Sequence, residues 1–91
     1  MSQPVSEEET SKRITEFIRE RFLDGDPQGE LEPGSPLLEW GVLNSLRVAR
    51  LIAFIRSDLG VPVSAMEINP DNLRDVRSIT AMVTRLARAG A

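Results

Sequence analysis

Three segments of this chain carry apolar residues at the three- and four-residue steps of an amphipathic α-helix, and this spacing constrains the fold most. Residues spaced in this way gather on one helical face, which must be buried against other helices. The repeating residues are Ile14, Phe17, Ile18 and Phe22, then Val48, Leu51, Ile52, Ile55 and Leu59, and finally Ile79, Met82, Val83 and Leu86. A chain of 91 residues builds one hydrophobic core. We therefore predict an all-α fold, a small bundle of three main helices plus a short one.

The first helix is predicted over residues 7–23. Ser6 followed by Glu9 forms a capping box, in which the serine side chain binds a free N–H of the first turn. Thr10 and Ser11 are alternative caps, so the sequence does not decide which of these three residues begins the helix. Acidic side chains in the first turn suit the positive end of the helix dipole.

The second helix is predicted from Asn44 and Ser45 to residue 59. Asparagine is among the best N-caps, and Gly60 is well placed to end the helix. The last helix is predicted to begin near Ser78, which would serve as its N-cap. A short helical turn is expected around Pro70, between these two helices.

A long loop is predicted between the first two helices. Residues 24–36 contain three glycines and three prolines, a density that excludes helix and strand. Residues 37–44 then turn apolar, and we expect them to fold back over the core, because so much exposed apolar surface would aggregate. The apolar residues of this lead-in loop are Leu37, Leu38, Trp40, Val42 and Leu43.

The helices and the loop together predict one domain over residues 7–87, with flexible tails at residues 1–6 and 88–91. The N-terminal residues include three consecutive glutamates and no apolar run, so we expect no secretory signal. No stretch approaches the roughly 18 uninterrupted apolar residues that a membrane-spanning helix needs. We therefore expect a cytoplasmic protein that makes no membrane contact. We also expect it to be a monomer.

Composition and charge exclude several classes of function. The chain has no cysteine and no histidine, so disulfides, thiolate or imidazole chemistry and a Ser–His hydrolase are excluded. No metal site is predicted, since Asp24 and Asp26 lack EF-hand spacing. Residues 1–44 hold four basic and ten acidic side chains, whereas residues 45–91 hold seven and four. This is not the dense basic surface that nucleic-acid binding usually needs.

Ser45 is the candidate functional residue. It is predicted at a helix N-terminus, where the dipole and free N–H groups favour an attached phosphate. A serine in the first turn usually does no more than hydrogen-bond to the backbone, but this serine also follows a long apolar lead-in loop. The second helix has an outer stripe turned away from the core, formed by Leu46, Ala49, Arg50, Ala53 and Ser57.

The residues around Ser45 resemble a known family. Leu38, Gly41-Val42-Leu43 and Asn44-Ser45-Leu46 are similar to the phosphopantetheine attachment motif of acyl carrier proteins and peptidyl carrier (thiolation) domains, in which Gly-hydrophobic-x-Asp-Ser-Leu opens the second helix. The resemblance continues through Leu51-Ile52, residues 60–63 and the run 71–76, which looks like a signature of peptidyl carriers. It covers nearly the whole chain, from about residue 7 to residue 87. Two departures are Asn44 in place of aspartate, and arginines on the second helix where many acyl carriers bear acids.

The resemblance implies a discrete, non-catalytic carrier. A separate phosphopantetheinyl transferase would attach 4'-phosphopantetheine from coenzyme A to Ser45, beside the cap Asn44. The arm would hold an acyl or aminoacyl group as a thioester, in a polyketide- or nonribosomal-peptide-type pathway. The partners implied are this transferase, an adenylating or acyl-loading enzyme, and an acyltransferase or synthase acceptor. Tethering raises the effective concentration of the cargo at each partner.

Partners are expected to dock on the outer stripe of the second helix. Leu46 offers an apolar anchor, Ala53 lets another surface come close, and Arg47 and Arg50 supply positive charge. The alternative function is a small protein-interaction or DNA-binding bundle with no prosthetic group, in which the second helix contacts DNA. The acidic first half of the chain and the long loop argue against DNA binding.

Overall fold

The computed structural model describes residues 6–89 and is all-α, with no strand in that range, as predicted. Its helices are α1 (Glu7–Phe22), α2 (Ser45–Asp58), α3 (Pro70–Leu73) and α4 (Val76–Ala89), with a 3₁₀ turn at Ala65–Glu67. Within this range no helix is both long and apolar enough to cross a membrane. The same residues contain no cluster of acidic side chains that could hold a metal ion.

Helix α1 begins after the predicted cap Ser6. The Ser6 hydroxyl accepts a hydrogen bond from the Glu9 N–H at 3.1 Å, so Ser6 is the cap. The alternative cap Thr10 is buried inside the helix instead. The helix ends at Phe22, one residue earlier than predicted, and Leu23 follows it as the C-cap. The buried face of α1 packs chiefly against α4.

Helix α2 begins where the sequence predicted. The Asn44 side-chain oxygen accepts a hydrogen bond from the Arg47 N–H at 2.9 Å. The helix ends at Asp58, again one residue early, with Leu59 as C-cap. Gly60 then adopts a left-handed backbone (φ 69°), a conformation that glycine adopts without steric cost. The Val61 N–H donates to the Ile55 carbonyl and closes this end of the helix.

Helix α4 begins at Val76, and the predicted start near Ser78 was wrong. The carboxylate of Asp75 accepts a hydrogen bond from the Ser78 N–H at 2.7 Å, so Ser78 donates to the cap. A charged acceptor makes a stronger bond than a hydroxyl, and full burial of Val76 holds it in the first turn. The short helical turn predicted around Pro70 is confirmed as α3, where the Asn69 side chain accepts from the Asn72 N–H at 2.9 Å.

The core lies between α1, α2 and α4 and is closed by the long loop. Of the residues predicted from spacing, Ile14, Ile18 and Leu51 are fully buried, whereas Phe17 and Val48 are only partly covered. The buried apolar residues are Ile14, Ile18, Phe22, Leu31, Leu37, Val42, Leu43, Leu51, Ile55, Val61, Leu73, Val76, Ile79, Met82 and Val83.

The expected tails fall largely outside the described range. Residues 1–5 and 90–91 are not among the described residues, so the structure does not bear on the flexibility predicted there. Helix α4 continues to Ala89, two residues beyond the predicted end of the domain. The domain limits at residues 7 and 87 remain a proposal.

Candidate attachment site at the start of helix α2

The lead-in loop folds back over the core, but not with all its apolar residues. Leu37, Val42 and Leu43 are buried as predicted, whereas the prediction was wrong for Leu38 and Trp40, which are exposed. The reason is the backbone: the Trp40 N–H donates to the Pro36 carbonyl at 3.0 Å, which closes a turn. The outer side of such a turn faces solvent.

Two backbone hydrogen bonds fix the position at which this loop meets α2. The Leu37 N–H donates to the Arg74 carbonyl at 2.9 Å, which ties the loop to the start of α4. The Leu43 N–H donates to the Leu37 carbonyl at 3.1 Å and closes the loop on itself. Asn44 and Ser45 therefore leave the core at a defined corner of the molecule.

The preceding part of the loop is organised by Asp26. Its carboxylate accepts hydrogen bonds from the N–H groups of Glu30 and Leu31, both at 3.0 Å, and from the Arg19 guanidinium at 3.3 Å. The Leu31 N–H in particular, together with Glu30 and Arg19, outweighs burial and lowers the pKa of Asp26 below its usual value. The carboxylate is thus charged at neutral pH. Sequence reasoning missed this role and considered Asp26 only as a cation ligand.

Ser45 is exposed at the first position of α2. Among the described residues, the N–H groups of Ser45 and Leu46 donate to no partner, while that of Arg47 is occupied by Asn44. The first turn of α2 contains no acidic residue. An accessible hydroxyl, two free N–H donors and the positive end of the helix dipole suit a phosphate ester at this position.

Arg47 turns back toward the protein. Its guanidinium donates to the Val42 carbonyl at 3.1 Å and lies over the Phe22 ring, 5.4 Å from the centroid. These contacts join the start of α2 to the lead-in loop and to the end of α1. Arg47 is predicted to contact partners, but it also stabilises the fold through Val42 and Phe22. Its position in the sequence did not reveal this second role.

The other predicted docking residues follow the surface of α2 away from Ser45. Leu46 is 63% exposed and Arg50 is exposed, while Ala53 is half-buried. Arg50, Ala53 and Ser57 line a groove of about 770 Å³ between α1 and α2. Sequence reasoning missed this groove because it considered α2 alone.

Two stacked phenylalanines form part of this groove. Phe17 and Phe54 are parallel, with centroids 4.3 Å apart, and Phe22 meets Phe17 edge-on at 5.4 Å. Because Arg47 contacts Phe22 and Phe54 contacts Phe17, α1 and α2 run antiparallel. The charged residues that line the groove are balanced in sign: Arg13, Arg21, Arg50, Glu16, Glu20 and Asp58.

The 3₁₀ turn carries a further exposed apolar side chain, Met66, for which the sequence predicted no role. Met66 is 88% exposed, and the neighbouring Glu67 is held by Arg85 of α4 and by the Asn72 side chain. The hydrogen bond from Arg85 is the main reason that the pKa of Glu67 lies below its usual value. The turn is thus tied to α3 and α4 while Met66 projects outward.

Comparison with known proteins decides the family. A family model described as "Phosphopantetheine attachment site" matches residues 13–85, which include Ser45 and all the contacts described above except those of Ser6. The chain belongs to this family. The phosphopantetheine carriers are non-catalytic, and the family, the fold class and the cofactor predicted from the sequence are confirmed.

The carrier is also similar to individual proteins. It is 34% identical over 74 residues to "Probable acyl carrier protein PigG" of Serratia sp. (strain ATCC 39006), a match that covers 81% of this chain and 84% of that protein. A chain of a solved structure titled "Crystal structure of FAD-dependent dehydrogenase" is also 34% identical, with a TM-score of 0.71. That match covers 77% of the carrier and 97% of the other chain.

Proposed function

We propose that Ser45 bears the phosphopantetheine group and that the carrier presents an acyl or aminoacyl thioester to partner enzymes of a polyketide- or nonribosomal-peptide-type pathway. The observation that supports this best is the exposed Ser45 hydroxyl beside two free N–H groups, at the start of α2 and within the matched range. Asn44 supports the site because its side chain takes the third N–H and leaves the serine hydroxyl free. The family match favours a carrier over a DNA-binding or ligand-free bundle.

The modification requires a separate phosphopantetheinyl transferase. The Ser45 oxygen attacks the phosphate of coenzyme A that bears the pantetheine, a new P–O bond forms, and the bond between the two phosphates breaks. The adenosine 3',5'-bisphosphate leaves, and the serine proton passes to a base of the transferase. The bound group supplies a thiol, which this cysteine-free chain lacks.

The partner enzymes follow from the carrier role. An adenylating or acyl-loading enzyme would charge the thiol, and an acyltransferase or synthase would accept the cargo. The solved structure that contains a similar chain is titled as an FAD-dependent dehydrogenase, which supports a flavin enzyme as a further partner. Such an enzyme would oxidise the carrier-bound acyl group to an α,β-unsaturated one: a base of that enzyme would take the proton from Cα, and FAD would accept the hydride from Cβ and be reduced.

Intact-mass spectrometry tests the attachment residue. After incubation with coenzyme A, magnesium and a broad-specificity transferase, the carrier should gain the mass of one phosphopantetheinyl group. Ser45→Ala should gain none and should stay folded, because Asn44 still caps α2. Ser64→Ala, an exposed serine outside α2, is the control and should be modified like the parent. A gain that persists in Ser45→Ala would refute the assignment.

We further propose that partners dock on the stripe that begins at Leu46 and continues past Arg47 to Arg50 and Ala53. Arg50 supports this because it is exposed and, among the described residues, forms no salt bridge. A partner with an acidic patch would complement it. Arg50→Glu should slow loading, and the loss should shrink at high salt because exposed charges are screened.

Arg88→Glu is the matched control, since Arg88 is an exposed arginine in the last turn of α4. It makes the same charge change far from the stripe and should leave the loading rate unaltered. Circular dichroism should show both variants folded, as expected for exposed positions. Equal losses in the two variants, or no loss in either, would refute this docking surface.

A further inference from the structure

A second cleft lies beside the lead-in loop, on the side of Trp40. It has a volume of about 460 Å³, and its apolar lining comes from Leu23, Leu31, Trp40 and Val42. Leu31 and Val42 are buried, but Trp40 is 57% exposed. Among the described residues Trp40 stacks on no other aromatic ring. A large indole surface is therefore left available beside an apolar wall.

The part of the cleft lining formed by Asp26, Glu30 and Leu31 is held in place before any ligand arrives. Asp26 lines the cleft, and its three hydrogen bonds fix the backbone of Glu30 and Leu31 and bind the side chain of Arg19. Asp26 itself adopts a left-handed backbone (φ 52°), which these contacts maintain. A cleft whose wall is already ordered loses little conformational entropy when it binds a small group.

The cleft is within reach of a group tethered to Ser45. Val42, which lines it, is three residues from Ser45, so their Cα atoms lie at most about 11 Å apart. Trp40 is five residues away, at most about 18 Å along an extended chain. A phosphopantetheine arm is a long flexible chain that spans distances of this order, and tethering raises the local concentration of its cargo.

The charge of the cleft selects among cargoes. Asp24, Asp26 and Glu30 line it together with the apolar residues, while no arginine or lysine within residues 6–89 does. Asp24 and Glu30 are exposed and, among the described residues, form no salt bridge. The groove between α1 and α2, by contrast, has balanced charges. A cation with an apolar body matches the cleft, because the carboxylates attract its charge and the indole face attracts both parts.

We propose that this cleft receives the cargo tethered at Ser45 and that the cargo is aminoacyl, its side chain against Trp40 and its ammonium group toward Asp24 and Glu30. This inference rests on the proposed attachment at Ser45 and narrows the cargo to one chemical class. An uncharged acyl group of the same shape would gain the apolar contact alone.

The fluorescence of Trp40 tests this directly, because it is the only tryptophan in the sequence. The transferase would load the carrier from stable amide-linked coenzyme A analogues, one with a valyl group and one with a 3-methylbutanoyl group, which differ only in the amine. Quenching by neutral acrylamide would be measured at about pH 6.5, below the usual α-amino pKa. The arm with a free thiol is the reference sample.

We expect the valyl group to reduce the quenching constant of Trp40 by about half, since it covers a ring that is now exposed. The 3-methylbutanoyl group should give a smaller reduction. The double change Asp24→Asn with Glu30→Gln should make the quenching constants measured with the two cargoes equal. High salt should do the same. Glu39→Gln, an exposed carboxylate outside the cleft lining, is the matched control and should preserve the difference.

Two results would overturn the inference. If both cargoes lowered the quenching of Trp40 equally in the parent carrier, the cleft would not select an aminoacyl cargo. If neither cargo changed the quenching from that of the free-thiol sample, the cleft would not be a cargo site. In both cases the mass of each loaded sample shows independently whether Ser45 was modified. Failure of this inference can thus be told apart from failure of the proposed attachment.

Discussion

Helices α2 and α4 begin with the same capping interaction in opposite surroundings. Asn44 and Asp75 each accept a hydrogen bond from the N–H three residues ahead, at 2.9 and 2.7 Å. Asn44 is neutral and exposed, whereas Asp75 is 9% exposed and lies beside the Arg74 guanidinium. One capping motif can therefore either anchor a fold or leave a helix end accessible.

The start of α4 is where the long loop attaches. The Leu37 N–H donates to the Arg74 carbonyl, and the Arg77 N–H donates to the Pro33 carbonyl at 3.0 Å. The start of α2 has no such cover, and its first two N–H groups are free among the described residues. The buried start therefore stabilises the loop that positions the exposed start, where Ser45 lies.

The largest effect is expected from Asp75→Ala. It removes a buried cap and leaves the Ser78 N–H unpaired, so unfolding free energy should fall by about 2 kcal/mol. Urea denaturation followed by circular dichroism measures this. Asp71→Ala, an exposed carboxylate in the first turn of α3, is the control and should cost less than half as much. Equal losses would mean that burial of the Asp75 cap adds nothing.

Lowering the pH should weaken the cap of α4, which is a carboxylate, and should leave the cap of α2, which is an amide, unchanged. Burial raises the pKa of Asp75, but the hydrogen bonds from Ser78 and the charges of Arg74 and Arg77 outweigh it and lower the pKa. The carboxylate therefore stabilises the fold above the unfolded pKa of about 3.9, and this contribution is lost as the pH falls through the lower folded value.

Asp75→Asn isolates this titration because it keeps a capping oxygen without the carboxylate. The stability difference between parent and Asp75→Asn should be constant from neutral pH to about 4 and should shrink below it. Denaturant titrations at several pH values measure the difference. A difference that grows on acidification would contradict the lowered pKa.

Asn44→Ala should cost about 1 kcal/mol, the usual value for an exposed cap and roughly half the loss expected at Asp75. The same denaturation experiment compares them. Transferase modification of Ser45 should slow, because the first turn that presents the serine frays. A loss as large as that of Asp75→Ala would show that exposure does not distinguish the two caps.

The smallest effect is expected from Asn44→Asp, which should raise stability by about 0.3 kcal/mol at low salt, since a negative charge suits the helix N-terminus. The midpoint of thermal unfolding would measure it. A clear loss of stability would show that the Asn44 side chain makes a hydrogen bond that only an amide can donate.

Much of the fold could be predicted because its signals are local. The spacing of Ile14 and Ile18, and of Leu51 and Ile55, predicted which faces of α1 and α2 are buried. Asn44 before an apolar-periodic run predicted where α2 starts. The motif around Ser45 predicted the family that the comparison then showed. These features depend on residues a few positions apart, and short-range geometry determines them.

Tertiary structure decided what depends on distant segments. Ser78 was predicted as the cap of α4, but the buried Val76 and the loop anchored at Arg74 lie before it, and the cap is Asp75. The lead-in loop was apolar throughout, yet only its turn geometry determined that Leu37 is covered and Trp40 exposed.

The sequence alone thus determined which segments are helical, the cap of α2 and the family, because helix periodicity and capping act within one or two turns. The packing of segments that are distant in the sequence decided three other features. These are the orientation of Arg47 toward Phe22, the groove between α1 and α2, and the acidic cleft beside Trp40. Which surfaces stay open for a partner or a cargo depends on what covers the rest, and only the folded chain determines that.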